Sequence, residues 1–492
     1  MPAPLAVFRM DGGLQIGGGH VVRCRALADG LRRGGWRIAT VCRASTQDAM
    51  GSGTLPGGRI LAVADDVADD PAKTSAALGE HANLLVIDHY GLDESYERDS
   101  RSWADTIMVL DDLPGRTHDS DILLNPSILT GRNTKSHTIK TGHISLTGPA
   151  YAPLRDAFVR ARGDKTKSCV RPVEHLFISF GATDPANATS LALDAVAETG
   201  FNGSVDVVLS GVAPHLDDVR AKVGHLGDKV RLHTDPENLV ALLTRADLAI
   251  GAPGSSAWER CCLAIPTIMI QIANNQAGIA AGLDSAGAAD FLGPVEKVTS
   301  GMLAEAIVAL MDDPVRRADM ATKAGRICDG LGTARVRACL AGETTDATGT
   351  PVRLRVATMD DAPRLLDWQS HPETRLFARY PEAPDPVTHQ TWMHRVLGDP
   401  ARILCLLETG DQLGGSLRLD TVEDDELEIS IYTAPSHYRR GIAAAGLRLA
   451  RRLAPGRHIH AHVLPENAAS HALFTNAGYS QVTADHYVEA PQ

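Results

Sequence analysis

Three places in this chain bring together residue types that could do chemistry. In the first, the apolar run LAVF at 5–8 continues through Arg9 and Asp11 into the loop GGLQIGGGH, and a helical pattern follows from about His20 to Arg33. Glycines ahead of a helix let a ligand approach the backbone closely, and the free amides at the positive helix end favour a phosphate or another anion. The spacing is neither GxGxxG nor a Walker loop, which excludes dinucleotide and P-loop readings. His20, at the helix start, carries an imidazole, the side-chain type that suits a general base activating water. A cap or packing role at the turn competes with that reading.

The second place is GAPGSSAWER at 251–260, where a short strand ends in a Gly/Pro turn. Ser255 or Ser256 can cap the next helix and direct its amides at a diphosphate. Glu259 on the first turn is a poor neighbour for phosphate and a good acceptor for ribose hydroxyls; otherwise it is a surface carboxylate complementing the helix dipole. Asn275 and Gln276 follow the next strand, at the carboxyl end where parallel sheets meet ligands. The third place is APSHYRRGIAAAGLRLARRL, a basic turn before an Ala-rich helix, in which turn amides with Arg439 and Arg440 suit a pyrophosphate. Glu428 on the preceding strand is either a base acting through water or an exposed carboxylate. Asn467 reads as a helix N-cap with Ser470 at the third helical position, and Gly478 as the end of that helix.

The elements that position these groups follow from length and pattern. A chain of 492 residues asks for about three domains. With 44% hydrophobic, 22% charged and only 4% aromatic residues, it is an ordinary globular composition whose cores are built from Ala, Leu, Val and Ile, a lean towards α/β. A net charge of -12 works against coating nucleic acid or an anionic membrane. The eight cysteines form no CxxC pair or Cys/His zinc spacing, so reduced thiols and no metal are expected. No apolar run is long enough to span a membrane, and Arg9 and Asp11 interrupt the start where a signal peptide would stay apolar; a cytoplasmic location is expected.

Strand-like runs at 5–8, 37–41, 59–63, 84–88 and 106–110 alternate with helical stretches, as in βαβ units, and HLFISF at 175–180 restarts the alternation. The reading is a first half over 1–165, a second over 166–340, a small polar linker AGETTDATGTP over 341–351, and an α+β unit over 352–492 with antiparallel strands before its Gly-containing turn.

The motifs then become recognisable. FRMDGGLQIGGGHVVRCRALADGL resembles the signature of the UDP-sugar hydrolases of pseudaminic acid biosynthesis, which remove UDP from 2,4-diacetamido-2,4,6-trideoxy-β-L-altropyranose. The resemblance continues through VIDHYGLDESYE, VLDDLPGRTHDSDILLNPS, GPAYAPLRDAF, FISFGATDPAN and GAPGSSAWERCCLAIPTIMIQIANNQ, over about the first 340 residues. It implies a GT-B-like pair of Rossmann-like halves, with the nucleotide held mainly by the second half and catalytic groups brought largely by the first. It implies ribose contacts for Glu259 and sugar or phosphate contacts for Asn275 and Gln276. It also implies substrate contacts for Gly17, Gly19, Gly254, Ser255 and Ser256. Asp11, Asp88 and Tyr90 lie in matched motifs and would orient His20 or hold the sugar, and Arg9 would steady developing charge on the leaving diphosphate.

The 352–492 unit resembles the GNAT acyltransferase superfamily, which implies acetyl-CoA as co-substrate, with its pyrophosphate at the turn carrying Arg439 and Arg440 and cofactor contacts at Arg439, Arg440, Gly441, Ala443 and Asn467. Two positions depart from the family pattern. Tyr438 stands where an Arg or Gln is usual, and Phe474 where many members have a tyrosine that protonates the leaving thiolate, leaving solvent, Tyr479 or Ser470. Arg355, Trp368, Arg375, His389 and Trp392 resemble the pattern of amino-sugar N-acetyltransferases, although His389 and Trp392 at helical spacing could simply pack. The expectation is a bifunctional enzyme of UDP-amino-sugar substrates: acetyl transfer to the 4-amine, then hydrolysis of UDP. The competing expectation is a GT-B glycosyltransferase with a degenerate, binding-only acyltransferase-like module.

Overall fold

The computed structural model describes residues 3–13, 16–51, 53–113, 115–128, 138–139, 143–163, 171–378, 380–423 and 425–491. The expected boundary near residue 165 falls outside them. The strands of the first part are β1 (Leu5–Met10), β2 (Arg37–Arg43), β3 (Arg59–Val63), β4 (Ala82–Asp88), β5 (Ala104–Leu110), β6 (Thr117–His118), β7 (Ile122–Asn125), β8 (Thr138–Ile139) and β9 (Ile144–Thr147). Seven of them form one sheet in the order β3-β2-β1-β4-β5-β7-β9, and β6 pairs with β8. The pairings β2–β3, β4–β5, β5–β7 and β7–β9 are parallel. β1 is buried at every position and β4 at all but one, the continuous apolar pattern of strands covered on both faces.

A second sheet contains β10 (His175–Ser179), β11 (Ser204–Leu209), β12 (Val230–Thr234), β13 (Leu248–Gly251), β14 (Thr267–Gln271) and β15 (Asp290–Pro294), in the order β12-β11-β10-β13-β14-β15 and parallel throughout. Alternate residues feed two cores. Ile178, Ile250, Ile268 and Ile270 pack in one with the helix Ala188–Thr199, while Phe177, Ala249 and Met269 pack in the other with Trp258. The period of two in strand side chains thus builds helix layers on both faces. The fold class is therefore two successive Rossmann-like sheets of the GT-B-like kind followed by an α+β part.

That last part holds β16 (Glu343–Thr345), β17 (Pro351–Val356), β18 (Arg402–Thr409), β19 (Gln412–Glu423), β20 (Glu426–Thr433), β21 (His458–His462), β22 (Ser480–Thr483) and β23 (His486–Glu489), ordered β16-β17-β18-β19-β20-β21-β23-β22. Its neighbours are antiparallel except for the parallel pair β20–β21. The helix Ile442–Leu453 lies on one face so closely that a Cβ on Gly446 would come within 2.7 Å of Ile431. The segment 341–351, read from composition as a linker, is different in kind. Its β16 pairs with β17, and Arg448 and Arg452 donate to the Thr345 and Glu343 carbonyls.

The chain divides into two compact units, one of residues 1–6, 29–38 and 333–492, the other of residues 7–28 and 39–332. Within the first, Arg457 donates to the carbonyls of Arg32 and Arg33. No helix among the described residues is long and apolar enough to cross a membrane.

Candidate functional site

In the second unit, the loop after β1 is pinned by paired backbone hydrogen bonds between Gly13 and Gly17, at 3.2 and 2.7 Å. Gly17 adopts φ 82°, which a side chain resists. The pin delivers His20 to the first turn of the helix Gly19–Arg33. There Nδ1 of His20 lies 2.5 Å from Oδ1 of Asp88, at the end of β4. With Nδ1–H donating to the carboxylate, Nε2 is the nitrogen with a lone pair, the tautomer a general base needs.

Arg23, three residues on along the same helix face, grips both oxygens of Asp88 at 2.5 and 2.6 Å and reaches Asp112 at 2.9 Å. Burial opposes ionisation of Asp88, but the charges and hydrogen bonds of Arg23 and His20 hold its carboxyl well below the usual range. Tyr90 donates to Asp112 at 2.6 Å and sets its ring edge-on to His20, centroids 4.7 Å apart. Burial and Asp112 together push its phenol up, so Tyr90 is a fixed hydrogen-bonding group and not a proton donor at neutral pH.

The loop carrying Asp112 is clamped by His118, whose two nitrogens lie 2.7 Å from Glu97 and 3.0 Å from Asp111. Burial disfavours its charge, but these carboxylates raise it to about 9, which keeps it protonated and unsuited to act as a base. Arg23, Asp112 and His118 were not singled out in the sequence. The signal available for Arg23 was its i,i+3 spacing from His20.

Asp11 and Arg9 are placed differently from expectation. Asp11 accepts from Arg9, Arg43 and Thr46 at 2.9, 2.8 and 3.0 Å, with His89 at 3.3 Å, and makes no hydrogen bond to His20. Arg9 is fully buried, and its guanidinium donates to Ala68, Asp11 and Asp69. A diphosphate has no route to a guanidinium so enclosed, so Arg9 and Asp11 serve the architecture under the loop.

After β13 of the second sheet, Ser255 faces this region, since a Cβ on Gly19 would meet its hydroxyl at 3.4 Å, and a Cβ on Gly254 would meet Gln276 at 3.7 Å. Neither serine caps as expected: Ser255 makes no side-chain cap bond to the helix Ser256–Cys262, and the Ser256 hydroxyl accepts from Arg260 at 3.1 Å. Asn275 donates to the Tyr90 oxygen at 3.4 Å, while Gln276 accepts from the Ile272 amide at 2.9 Å. Glu259 is buried, and that burial raises its pKa to about 7 against the opposing pull of Arg155, 3.9 Å away, and Arg260. The surface-carboxylate alternative for Glu259 is thereby removed.

In the first unit, Gly441 takes φ 78° at the start of the helix Ile442–Leu453, and a Cβ there would strike Ala347 at 2.9 Å. The first-turn amides of Ile442, Ala443 and Ala444 have no intrahelical acceptor, as at any helix start. Arg439 is exposed, whereas Arg440 sits 3.7 Å from Asp346, which shares its charge. Glu428 lies on β20 in register with Asp420 and His460. Asn467 accepts from the Ser470 amide at 3.0 Å as an N-cap, and Gly478 ends that helix at φ 90°.

Phe474 is buried, 5.1 Å from the Tyr479 ring and 5.9 Å from that of Tyr487. Burial and Glu489 push the Tyr479 phenol up, which makes it a poor acid for a thiolate. Tyr438 meets Thr374 at 3.2 Å. Arg355 is held bidentately by Asp361 and by Glu408, and Arg375 donates to the carbonyls of Tyr380 and Glu382. His389 donates from Nε2 to the buried Ala362 carbonyl, 3.0 Å away, and sits tilted against Trp392 with centroids 5.3 Å apart, while Trp368 packs edge-on to Tyr432. In the structure these five make packing contacts, ion pairs and hydrogen bonds to backbone carbonyls.

Comparison with known proteins divides along the same line. The first part is 24% identical to the spore coat polysaccharide biosynthesis protein SpsG of Bacillus subtilis, over 67% of this chain and 96% of that protein. It is 25% identical to the UDP-2,4-diacetamido-2,4,6-trideoxy-beta-L-altropyranose hydrolase of Campylobacter jejuni, over 42% of this chain and 73% of that protein. An uncharacterized protein of Methanocaldococcus jannaschii, MJ1062, is 23% identical over 53% of this chain, and the match spans only 54% of its length. Among solved structures, MurG of Acinetobacter baumannii aligns with 68% of this chain and 98% of its own at 12% identity and a TM-score of 0.48. Residues 352–480 match the family described as an acetyltransferase (GNAT) domain.

Proposed function

We propose that the two Rossmann-like halves, residues 1–165 and 166–340, hydrolyse a UDP-activated 2,4-diacetamido sugar, and that the GNAT domain N-acetylates the 4-amine of its UDP-amino-sugar precursor with acetyl-CoA. The observation that carries the hydrolase reading is the His20–Asp88–Arg23 array, a single-tautomer base at a glycine loop. In the proposed step, Nε2 of His20 takes a proton from water as the oxygen bonds to the anomeric carbon. The bond from that carbon to the diphosphate oxygen breaks and UDP leaves with the electron pair. Attack from the face opposite the leaving group inverts the anomeric centre. UDP is a good leaving group, so no strong general acid is needed, and backbone amides near Gly19 and Gly254 would steady its charge. Glu259, Asn275 and Gln276 are assigned to ribose and sugar contacts. The likeness to the Campylobacter hydrolase supports the substrate class.

The decisive experiment incubates the protein with the acetylated UDP-sugar and follows UDP and free sugar by NMR. His20→Gln should slow release by about 100-fold or more; a loss within about threefold would overturn the mechanism. A second reading, a GT-B glycosyltransferase beside a binding-only module, is favoured by one observation, the burial of Phe474 where a proton donor would stand. It predicts no CoA release from acetyl-CoA and the UDP-4-amino sugar despite acetyl-CoA binding.

A further inference from the structure

β21 reads His458-Ile459-His460-Ala461-His462, and its period of two puts three imidazoles on one face while Ile459 and Ala461 are buried on the other. The antiparallel neighbour β23 sets His486 opposite His462. The rings stack: His462 and His486 have centroids 4.7 Å apart at 11°, and His460 and His486 are 5.1 Å apart at 21°. Nδ1 of His460 lies 2.9 Å from Nε2 of His486. One nitrogen of that pair must carry a hydrogen and the other accept it, so the two rings can exchange a proton.

The parallel ladder between β20 and β21 runs Glu426–His458, Leu427–Ile459 and Glu428–His460, and ends there. The last rung before these strands part thus carries Glu428 and His460 on one face, since aligned residues of paired strands point the same way. Nε2 of His460 is buried without a hydrogen bond, 3.7 Å from Glu426. Exposure rises outward: His460 and His486 are half-buried and His462 is exposed.

No group of three or more His, Cys, Asp or Glu side chains among the described residues could hold a metal ion. A proton needs only one nitrogen at a time. The charged and titratable groups around the stack are Glu426 and Glu428 on β20, Asp420 on β19 with its partner Arg418, His458 on β21, and Asp485 beside β23. Burial lowers the basicity of His460, Glu426 opposes that, and the neighbouring imidazoles lower it further, which disfavours retaining a proton there and favours passing it on.

We propose that His460, His486 and His462 form a proton relay behind Glu428, drawing the acceptor ammonium's proton away from the acyl-transfer site to solvent. The inference rests on the N-acetyltransferase reading above. The ammonium loses one proton to Glu428 and His460, and the freed nitrogen lone pair attacks the thioester carbon. The C–N bond forms, the C–S bond breaks, and the second nitrogen proton ends on the CoA sulfur.

The test measures CoA release by the full chain from acetyl-CoA and the UDP-4-amino sugar between about pH 6.5 and pH 9.5, alongside acetyl-CoA affinity by calorimetry. At about pH 7, His460→Gln should be about 10-fold slower or more with unchanged acetyl-CoA affinity, and His486→Asn should follow with a smaller loss. Both losses should shrink towards the alkaline end, where solvent deprotonates the amine unaided. A loss equal at every pH, or pH profiles matching the unaltered protein, would overturn the relay alone. An unaltered protein that binds acetyl-CoA but releases no CoA would overturn the transfer reading and the relay with it.

Discussion

The bases assigned to the two reactions stand in opposite surroundings. His20 is 6% exposed and locked by one carboxylate, which a buried arginine grips through both oxygens. His460 is half-buried on a sheet face, and its hydrogen-bonded neighbour is another imidazole. The first arrangement fixes one tautomer and one direction of proton flow; the second lets neighbouring imidazoles share a proton. Water is a weak acid in a crowded pocket and demands an oriented base, whereas an ammonium needs chiefly somewhere for its proton to go.

The largest expected effect would sharpen this contrast. Asp88→Asn keeps the shape but permits the wrong tautomer of His20, and UDP release should fall by about 100- to 10,000-fold. It also leaves the buried Arg23 with only the partly exposed Asp112 as a carboxylate partner, so thermal unfolding should reveal a loss of about 3 kcal/mol or more. Only a small change in both would erase the distinction between a locked and a shared base.

Glu259 offers the counter-case of a buried carboxylate whose burial outweighs the pull of its cations, Arg155 at 3.9 Å and Arg260. Its folded pKa of about 7 lies above the unfolded value, so its favourable contribution is complete below the unfolded pKa and is lost as pH rises through 7. Glu259→Gln should therefore match the unaltered protein near pH 4.5 and gain stability, by up to about 3 kcal/mol, as pH rises to 8. Denaturant midpoints at both pH values check this, and a gap that stayed constant would refute it.

Tyr90→Phe removes the hydroxyl that joins Asp112 to Asn275, and UDP release should drop by about fivefold, below the cost of losing the base itself. Phe474→Tyr should be the smallest effect. Its ring is enclosed by Tyr479 and Tyr487, so a hydroxyl there should leave CoA release within about threefold, with a modest fall in Tm. A large gain would mean that the acetyl-transfer site lacks a specific acid after all.

What could be read in the sequence was local. The glycine loop, His20 at a helix start, Asp88 at a strand end and the Asn467 cap all follow from adjacent residues and strand order. The locking of His20 by Asp88 spans 68 positions and that of Arg23 by Asp112 spans 89, and no periodicity announces either. The alternation in HIHAH was visible in principle, but its meaning needed His486, which only the β21–β23 register supplies. Arg9 and Asp11 misled because charged residues in a signature suggest ligand contact, and here they pair with each other beneath it.

The short strand β16 decides where the acetyltransferase part can be cut. A fragment begun at residue 352 would retain the matched family region yet strip β17 of the partner that satisfies its outer edge. Arg448 and Arg452 would lose the carbonyls they now hold. Such a bare edge offers a template to a second copy, and the fragment should aggregate where one begun ahead of Glu343 stays monodisperse. Three residues with the composition of a spacer thus act as a guard rail for the whole sheet.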